Sequence, residues 1–141
     1  MILPDVNVLV QAFRPDANDH ALCRRWLDTV VNGDSRYGIS RQVLSGVIRI
    51  VTHPKVFIRP SDLAESIRFC EVLMESPHCV LIEPGPRHWS IFVRLCREAG
   101  VSGNLVPDAW YAALAIESGC EWITLDRDYA RFLGLRLRVP S

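Results

Sequence analysis

Short apolar segments alternate along the chain with longer segments in which apolar residues recur at helical spacing. The short segments predict β-strands at residues 2–4, 37–39, 79–82, 122–125 and 135–139. The longer segments predict α-helices at residues 6–13, 19–31, 41–51, 62–74, 89–98 and 109–118, with a short helix at residues 127–132. Because strands alternate with helices, the pattern predicts an α/β protein, a three-layer α/β/α fold with a mostly parallel central sheet.

Capping and turn residues indicate where several of these helices begin and end. Ser40 can accept a hydrogen bond from the backbone at the start of the third helix. Residues 102–104 predict a loop, after which Pro107 and Asp108 begin the Ala-rich sixth helix. Gly119 follows that helix, where a left-handed glycine commonly ends one. These local signals support the predicted boundaries independently of the apolar pattern.

Length and composition indicate one globular domain that occupies residues 1–141. The chain has 141 residues, of which 49% are hydrophobic and 23% charged, and it contains no internal repeat, linker or low-complexity segment. Its formal net charge is zero, which argues against a long non-specific grip on DNA. Fifteen of the sixteen basic residues are Arg; this bias suits phosphate binding, but the codon composition of a genome can produce it as well.

The cysteines and the N-terminal residues predict a reduced, cytoplasmic protein. The five cysteines, at positions 23, 70, 79, 96 and 120, are scattered and form no C-x-x-C pair, so neither a disulfide framework nor a zinc knuckle is expected. The N-terminal residues have neither a basic region nor a long apolar stretch, and no signal peptide is predicted. No apolar segment approaches the length that crosses a bilayer.

Three aspartates, Asp5, Asp108 and Asp126, stand where an apolar segment stops and a helical segment begins. Because an open α/β sheet binds ligands outside the carboxyl ends of its strands, these distant acids are expected to meet in one crevice. Carboxylates held close together repel one another, and a hard cation such as Mg²⁺ or Mn²⁺ relieves that repulsion. Helix capping is the alternative, and taken alone Asp108 and Asp126 fit it better. Asp5 follows a buried strand and is not an obvious cap, so its coincidence with the other two favours a shared site.

The stretches that contain these aspartates resemble the motifs of PIN domains and, within that family, those of VapC toxins from bacterial and archaeal toxin–antitoxin pairs. The stretches are LPDVNVLV, NLVPDAWYAALAIESG and WITLDRDYARF, in the order and spacing of the family. The matching residues are Asp5, Asn7, Asn104, Asp108, Thr124, Asp126 and Asp128. The run SGVIRIVTHPKVF also resembles the third helix of a VapC subgroup, so the likeness covers nearly the whole chain.

The resemblance implies a metal-dependent endoribonuclease in which acids hold Mg²⁺ or Mn²⁺ and a metal-bound water attacks an RNA phosphodiester. By position, it implies that Asp5, Asp108 and Asp126 bind the metal and are catalytic, with Asp128 as a candidate outer acid. A metal ion that neutralises charge on the scissile phosphate removes the need for a strong protein base. The resemblance also implies two partners besides RNA, a VapB-like antitoxin and a second copy of the chain in a homodimer.

Three polar residues of the same motifs are expected to support the acids, and each lies within a few residues of one of them. Asn7 and Thr124 would hold the carboxylates in orientation. Asn104 could bond either the loop backbone or the substrate, and the sequence does not decide between these roles.

The third helix departs from the family pattern. PIN nucleases of this kind usually present a further acid, commonly Glu, on the helix after the second strand, but SRQVLSGVIRI contains none. Gln42 or Ser45 is expected to face the site instead, and fewer acids would weaken metal binding. The alternative function is therefore a catalytically weakened PIN-fold module that binds RNA or forms a complex. Arg49, on the polar side of this helix, fits either an RNA phosphate contact or a solvated helix face.

Overall fold

Five short strands and six α-helices alternate along the chain in the computed structural model, which describes all 141 residues. The strands are β1 (Ile2–Pro4), β2 (Tyr37–Ile39), β3 (Cys79–Leu81), β4 (Glu121–Ile123) and β5 (Leu137–Arg138). The helices are α1 (Val6–Phe13), α2 (His20–Val31), α3 (Arg41–Val51), α4 (Leu63–Glu75), α5 (His88–Ala99) and α6 (Val106–Ser118). Two 3₁₀ helices, Gly103–Leu105 and Arg127–Arg131, complete the secondary structure.

Every strand pairing is parallel. β1, β4 and β5 form one ladder in that order, and β2 pairs with β3. β2 packs beside β1, and Gly38 permits the close approach, because a Cβ there would lie 3.0 Å from the Ile2 carbonyl oxygen and 2.9 Å from Ile82 Cγ1. Paired parallel strands place their carboxyl ends at one edge, so the ends of β1 and β4 lie side by side. The predicted α/β/α fold with a mostly parallel sheet is confirmed.

The core is one cluster of 28 buried apolar residues contributed by strands and helices. α6 supplies small side chains to it, Ala109, Ala112, Ala113 and Ala115, which are fully buried and let neighbouring elements approach this helix closely. Three of the five cysteines are buried, and all five are free thiols. None of the helices combines the length and the apolar character that a membrane span requires.

α6 begins earlier than its sequence predicts. It starts at Val106 rather than at residue 109, and the predicted loop before it contains the 3₁₀ helix Gly103–Leu105. The reason is that Pro107 is accepted in a first helical turn, where its missing N–H needs no partner. Asp108 consequently lies inside the first turn of α6 and not in front of the helix.

The last strands are shorter than predicted. The segments predicted at 122–125 and 135–139 are Glu121–Ile123 and Leu137–Arg138, because the ladder between β4 and β5 is only two residue pairs long. The short helix predicted at residues 127–132 is the 3₁₀ helix Arg127–Arg131, the form that short helical segments commonly take.

Candidate active site

Asp5, Asp108 and Asp126 line one cavity of about 530 Å³ beside the carboxyl ends of β1 and β4. Asp5 follows β1 directly and Asp126 follows β4 shortly after its end, so the parallel pairing of these strands brings both acids to one edge. Asp108 reaches the same cavity from the first turn of α6. Acids from the start, the late middle and the end of the chain therefore meet in a single crevice.

Asp5 is a buried carboxylate, with 5% of its surface exposed. It caps α1, since its Oδ1 accepts a hydrogen bond of 2.6 Å from the Val6 backbone N–H. Its Oδ2 accepts hydrogen bonds from Thr124 Oγ1 at 2.6 Å and from Asn7 Nδ2 at 3.1 Å. Asp5 is thus a helix cap although the sequence did not make this obvious, and the same carboxylate both caps the helix and lines the cavity.

The aspartates of the cavity influence one another's protonation. Burial raises the pKa of Asp5 to about 6, against hydrogen bonds from Thr124 and Val6 that lower it, and the charges of Asp108 and Asp126 raise it further. Burial also raises the pKa of Asp108, and the nearby Asp126 adds to this effect. Both acids therefore ionise less readily than an isolated aspartate. A positive charge in the cavity would favour their ionised forms and would itself be stabilised by them.

Asn7 and Thr124 connect the end of β1 to the end of β4. Asn7 Nδ2 donates to Thr124 Oγ1 at 3.1 Å as well as to Asp5, and Asn7 Oδ1 accepts from the Leu125 backbone N–H at 3.1 Å. Thr124 Oγ1 in turn accepts from the Asp126 backbone N–H at 3.0 Å. This network orients Asp5 and ties it to the turn that carries Asp126.

The other two aspartates each keep one carboxylate oxygen free of protein partners. The hydroxyl of the buried Tyr129 donates to Asp108 Oδ1 at 3.2 Å, and Oδ2 makes no hydrogen bond within the chain. Asp126 Oδ1 accepts from the Asp128 backbone N–H at 2.9 Å and caps the 3₁₀ helix that follows. The capping alternative is therefore right for Asp126 and wrong for Asp108, which lies inside a helical turn.

Two further predicted residues occupy different places. Asn104 lines the cavity from the 3₁₀ helix before α6, and its amide makes no hydrogen bond to the loop backbone. Asp128 is exposed, does not line the cavity, and has its carboxylate 3.9 Å from Arg131 Nη2. The structure thus places Asn104 with the three aspartates and Asp128 outside them.

α3 presents Gly46, Arg49 and Ile50 to the cavity. These positions are three and four residues apart and so form one stripe along the helix. The adjacent stripe is buried in the core and consists of Val43, Leu44, Val47 and Val51. The expectation that Gln42 or Ser45 faces the site is wrong, because neither lines the cavity. Both are exposed, and Gln42 Oε1 accepts a hydrogen bond of 2.7 Å from Trp110 Nε1.

Sequence reasoning missed several residues of the cavity wall. Tyr111 and Tyr129 each stand three residues after an aspartate of the cavity, so helical spacing could have placed them beside the acids. Val56 and Phe57 come from the loop between α3 and α4, and no local signal in the sequence identifies them.

The lining offers the oxygen donors that hard cations prefer. It contains three carboxylates and the side-chain amides of Asn7, Gln11 and Asn104, but no Cys or His. This donor set fits Mg²⁺ or Mn²⁺ rather than a metal that prefers sulfur or imidazole ligands. No group of three acidic, His or Cys side chains is arranged to hold an ion directly. The donors therefore fit a hydrated ion, since Mg²⁺ usually keeps several waters and is bound through one or two carboxylates.

Comparison with known proteins gives matches along nearly the whole chain. A PIN domain family model matches residues 2–134. Ribonuclease VapC25 of Mycobacterium tuberculosis is 39% identical to this chain over 141 residues, with 99% of each chain covered.

Solved structures of low sequence identity share the fold. The structure of VapBC2 from Rickettsia felis, bound to a DNA fragment from their promoter, has a TM-score of 0.71 at 18% identity and covers 100% of both chains. Mycobacterium tuberculosis VapC20, a sarcin-ricin loop cleaving toxin, has a TM-score of 0.67 at 13% identity over 96% of this chain and 99% of that one. Because the family model and the VapC25 alignment both span nearly all of its residues, this chain belongs to the PIN domain family, among its VapC proteins.

Proposed function

We propose that the protein is a metal-dependent endoribonuclease that cleaves RNA phosphodiester bonds as the toxin of a VapBC-type toxin–antitoxin system. One observation carries the proposal, namely that Asp5, Asp108 and Asp126 line a single cavity at the carboxyl edge of the strands. The similarity to ribonuclease VapC25 along nearly the whole chain supports the same activity. The three aspartates are the proposed catalytic and metal-binding residues.

A bound Mg²⁺ or Mn²⁺ would supply Lewis-acid stabilisation of phosphate charge and a lowered pKa of water. The side chains around the acids contribute orientation. Thr124 and Asn7 hold Asp5 through hydrogen bonds of 2.6 and 3.1 Å, and the Tyr129 hydroxyl directs Asp108. Positions fixed in this way need no reordering when a ligand enters, which lowers the entropic cost of binding it.

Two more polar residues have proposed roles at the edge of the site. Asn104 lines the cavity with a free amide, which supports a contact with RNA rather than with the loop backbone. Asp128 is proposed only as an outer acid, because its exposed carboxylate lies outside the lining.

The second candidate function is a PIN-fold module that binds RNA or forms a complex with little catalysis. The absence of an acid on α3 favours it, since this helix presents Gly46 and Arg49 to the cavity instead of a further carboxylate. The enzyme is favoured more strongly by the three aspartates that line one cavity, where the charges of Asp108 and Asp126 raise the pKa of Asp5, because such mutually perturbed acids are typical of functional sites.

Incubation of purified protein with structured RNA tests the proposal. With Mg²⁺ or Mn²⁺ we expect cleavage that EDTA abolishes, and Asp108→Asn should slow it at least ~100-fold, since a lost ligand forfeits several kcal/mol of transition-state stabilisation. Asp34→Asn is the matched control and should cleave like wild type, because Asp34 is exposed and outside the cavity. RNA binding without metal-dependent cleavage would establish the module instead.

The proposal includes a VapB-like antitoxin as partner, supported by the VapBC2 structure to which this fold is similar. The homodimer and the cytoplasmic location stay predictions. The single domain of residues 1–141 is likewise a prediction, supported by one cluster of 28 buried apolar residues.

A further inference from the structure

Arg49 is the one cationic side chain that lines the cavity of the three aspartates. The other lining residues include neither Lys nor His. Arg49 stands in the last turn of α3, and its side chain is exposed. A cation at the wall of an acidic cavity is expected to pair with one of the acids, unless the structure keeps them apart.

Arg49 has no ion-pair partner. The seven ion pairs of the chain all involve other residues. α3 contains no acid, so no carboxylate stands one turn away from Arg49 along the helix. The guanidinium is therefore free to bind a ligand without first exchanging a partner.

Gly46 brings Arg49 to the cavity. A Cβ at this position would lie 3.0 Å from Val6 Cγ2 and 3.8 Å from the Tyr111 hydroxyl, so the glycine lets α3 pack closely on α1. Arg49 follows one turn later on the same stripe and reaches the lining there. A larger side chain at position 46 would have to displace Val6.

The charge of Arg49 acts on the same space as the acids. Burial raises the pKa of the Tyr111 hydroxyl; Asp5 and Asp108 raise it further, and Arg49 lowers it. Tyr111 thus lies within electrostatic range of the guanidinium and of two aspartates, which places the cation and the acids around one volume.

We propose that Arg49 binds a backbone phosphate of RNA in the cavity, an inference that rests on the proposed ribonuclease function. Three carboxylates repel an approaching polyanion, and a fixed cation at the wall offsets that repulsion. The guanidinium offers a planar fork of donors that matches the non-bridging oxygens of a phosphate. The lack of an acid on α3 leaves the Arg49 guanidinium available, because a carboxylate one turn away would compete with the phosphate for that guanidinium.

Arg97 provides a matched control for the position of Arg49 in its helix. A cation in the last turn of a helix also stabilises that helix through its dipole, whether or not RNA is present. Arg97 occupies the last turn of α5, is exposed, forms no ion pair, and lies outside the cavity lining. Arg49→Gln and Arg97→Gln should therefore lower the melting temperature by similar amounts, while only the first should affect RNA binding.

Salt-dependent RNA binding tests the inference. Arg49→Gln, Arg49→Lys and Arg97→Gln are made in an Asp108→Asn parent, and binding of a labelled single-stranded RNA is followed by fluorescence anisotropy with Mg²⁺ as the salt concentration is varied. Arg49→Gln should bind about ten- to a hundredfold more weakly and lower the slope of log K against log salt by about 0.7, as expected for one lost phosphate contact. Arg49→Lys should keep the slope with an intermediate affinity, because it keeps the charge and loses the fork.

The outcomes separate this inference from the proposed function. If the parent binds RNA and Arg49→Gln keeps its slope, or loses no more affinity than Arg97→Gln, the phosphate contact is overturned and the nuclease is untouched. If the parent binds no RNA at low salt, the phosphate contact is overturned, and cleavage by the wild-type protein decides the nuclease separately. A loss of RNA affinity and of salt slope in Arg49→Gln, but not in Arg97→Gln, supports the phosphate contact. This holds even if the wild-type protein binds RNA without cleaving it.

Discussion

Asp5 is a carboxylic acid on which burial and hydrogen bonding act in opposite directions. Burial raises its pKa to about 6, while the Thr124 hydroxyl and the Val6 N–H stabilise its charged form. The place of Asp5 after a buried strand is evident from the neighbouring residues, but the hydroxyl donor is 119 positions away in the chain. The sequence therefore located Asp5, whereas the pKa of Asp5 depends on contacts that form only in the folded protein.

Asp5→Asn should change the stability of the metal-free protein in a way that depends on pH. The pKa of Asp5 is raised from 3.8 to about 6 in the folded chain, so between these values the folded state binds more protons than the unfolded state. The contribution of Asp5 to the free energy of unfolding is therefore greatest below the unfolded pKa, falls as pH rises through about 6, and is constant above that. Asn cannot ionise and does not share this loss.

Urea unfolding in EDTA measures the difference. From about pH 4 to about pH 7.5, the free energy of unfolding of Asp5→Asn should rise relative to wild type by about 1–3 kcal/mol, since a shift of roughly two pKa units corresponds to at most about 3 kcal/mol. Asp34→Asn, at an exposed position, should show no such change. A wild-type-to-variant difference that is the same at both pH values would contradict the raised pKa.

At the scale of elements, the loop between α3 and α4 (residues 52–62) is held in place as a wall of the cavity. Phe57 lines the cavity, and the guanidinium carbon of Arg14 lies 4.1 Å from the centre of its ring. Arg14 Nη1 donates to the Arg59 carbonyl at 2.8 Å and to Ser61 Oγ at 2.9 Å. The helices on either side were predictable from their apolar spacing, but this loop has no periodic pattern, so its position depends on a buried side chain at the end of α1.

Arg14→Met should loosen this loop. It removes two hydrogen bonds to the loop and the contact with Phe57, so we expect a loss of about 1–3 kcal/mol in the free energy of unfolding. Limited trypsin digestion followed by mass spectrometry should show faster cleavage after Lys55, which is exposed in the loop.

Arg24→Met is the control for this change. Arg24 forms an exposed ion pair with Asp28 at 3.1 Å, and such a helical pair contributes only about 0.3–0.5 kcal/mol. Arg24→Met should leave the rate of trypsin cleavage in residues 52–62 unchanged. Equal digestion rates for Arg14→Met and wild type would show that Arg14 does not position the loop.

For the whole molecule, the distribution of charge matters more than its sum. The formal net charge is zero, yet one cavity is lined by three aspartates and a single Arg. A neutral protein exerts little long-range attraction on RNA, so under the proposed function the recognition of RNA would depend on short-range contacts.

Expression of the wild-type chain in a bacterial host should arrest growth, and Asp108→Asn should not, because the variant lacks a proposed metal ligand. Co-expression of the wild-type chain with its proposed VapB-like antitoxin should restore growth. Growth curves measure both effects, with immunoblots to show equal expression. Arrest by Asp108→Asn would mean that toxicity does not depend on the cavity, and a failure of co-expression to restore growth would remove the antitoxin proposal.

The sequence by itself determined the elements and the acids at their ends. The segments predicted at 2–4, 6–13 and 37–39 have the same bounds in the structure, because apolar spacing reports a local property, the buried face of each element. Asp5 and Asp126 were recognisable for a similar reason, since each closely follows a strand that is itself visible in the sequence. Even the error at the start of α6 concerned a boundary and not the existence of the helix.

Only the tertiary structure decided which side chains surround those acids. A helix can present any of its stripes to a neighbour, and the packing that Gly46 permits on α1 decided that Arg49 reaches the cavity while Gln42, two turns earlier on the same face, does not. Phe57 reached the cavity through a loop that carries no pattern of its own. The pKa of Asp5 also depends on neighbours from distant segments. These properties arise from contacts between residues far apart in the chain, and local sequence constrains such contacts only weakly.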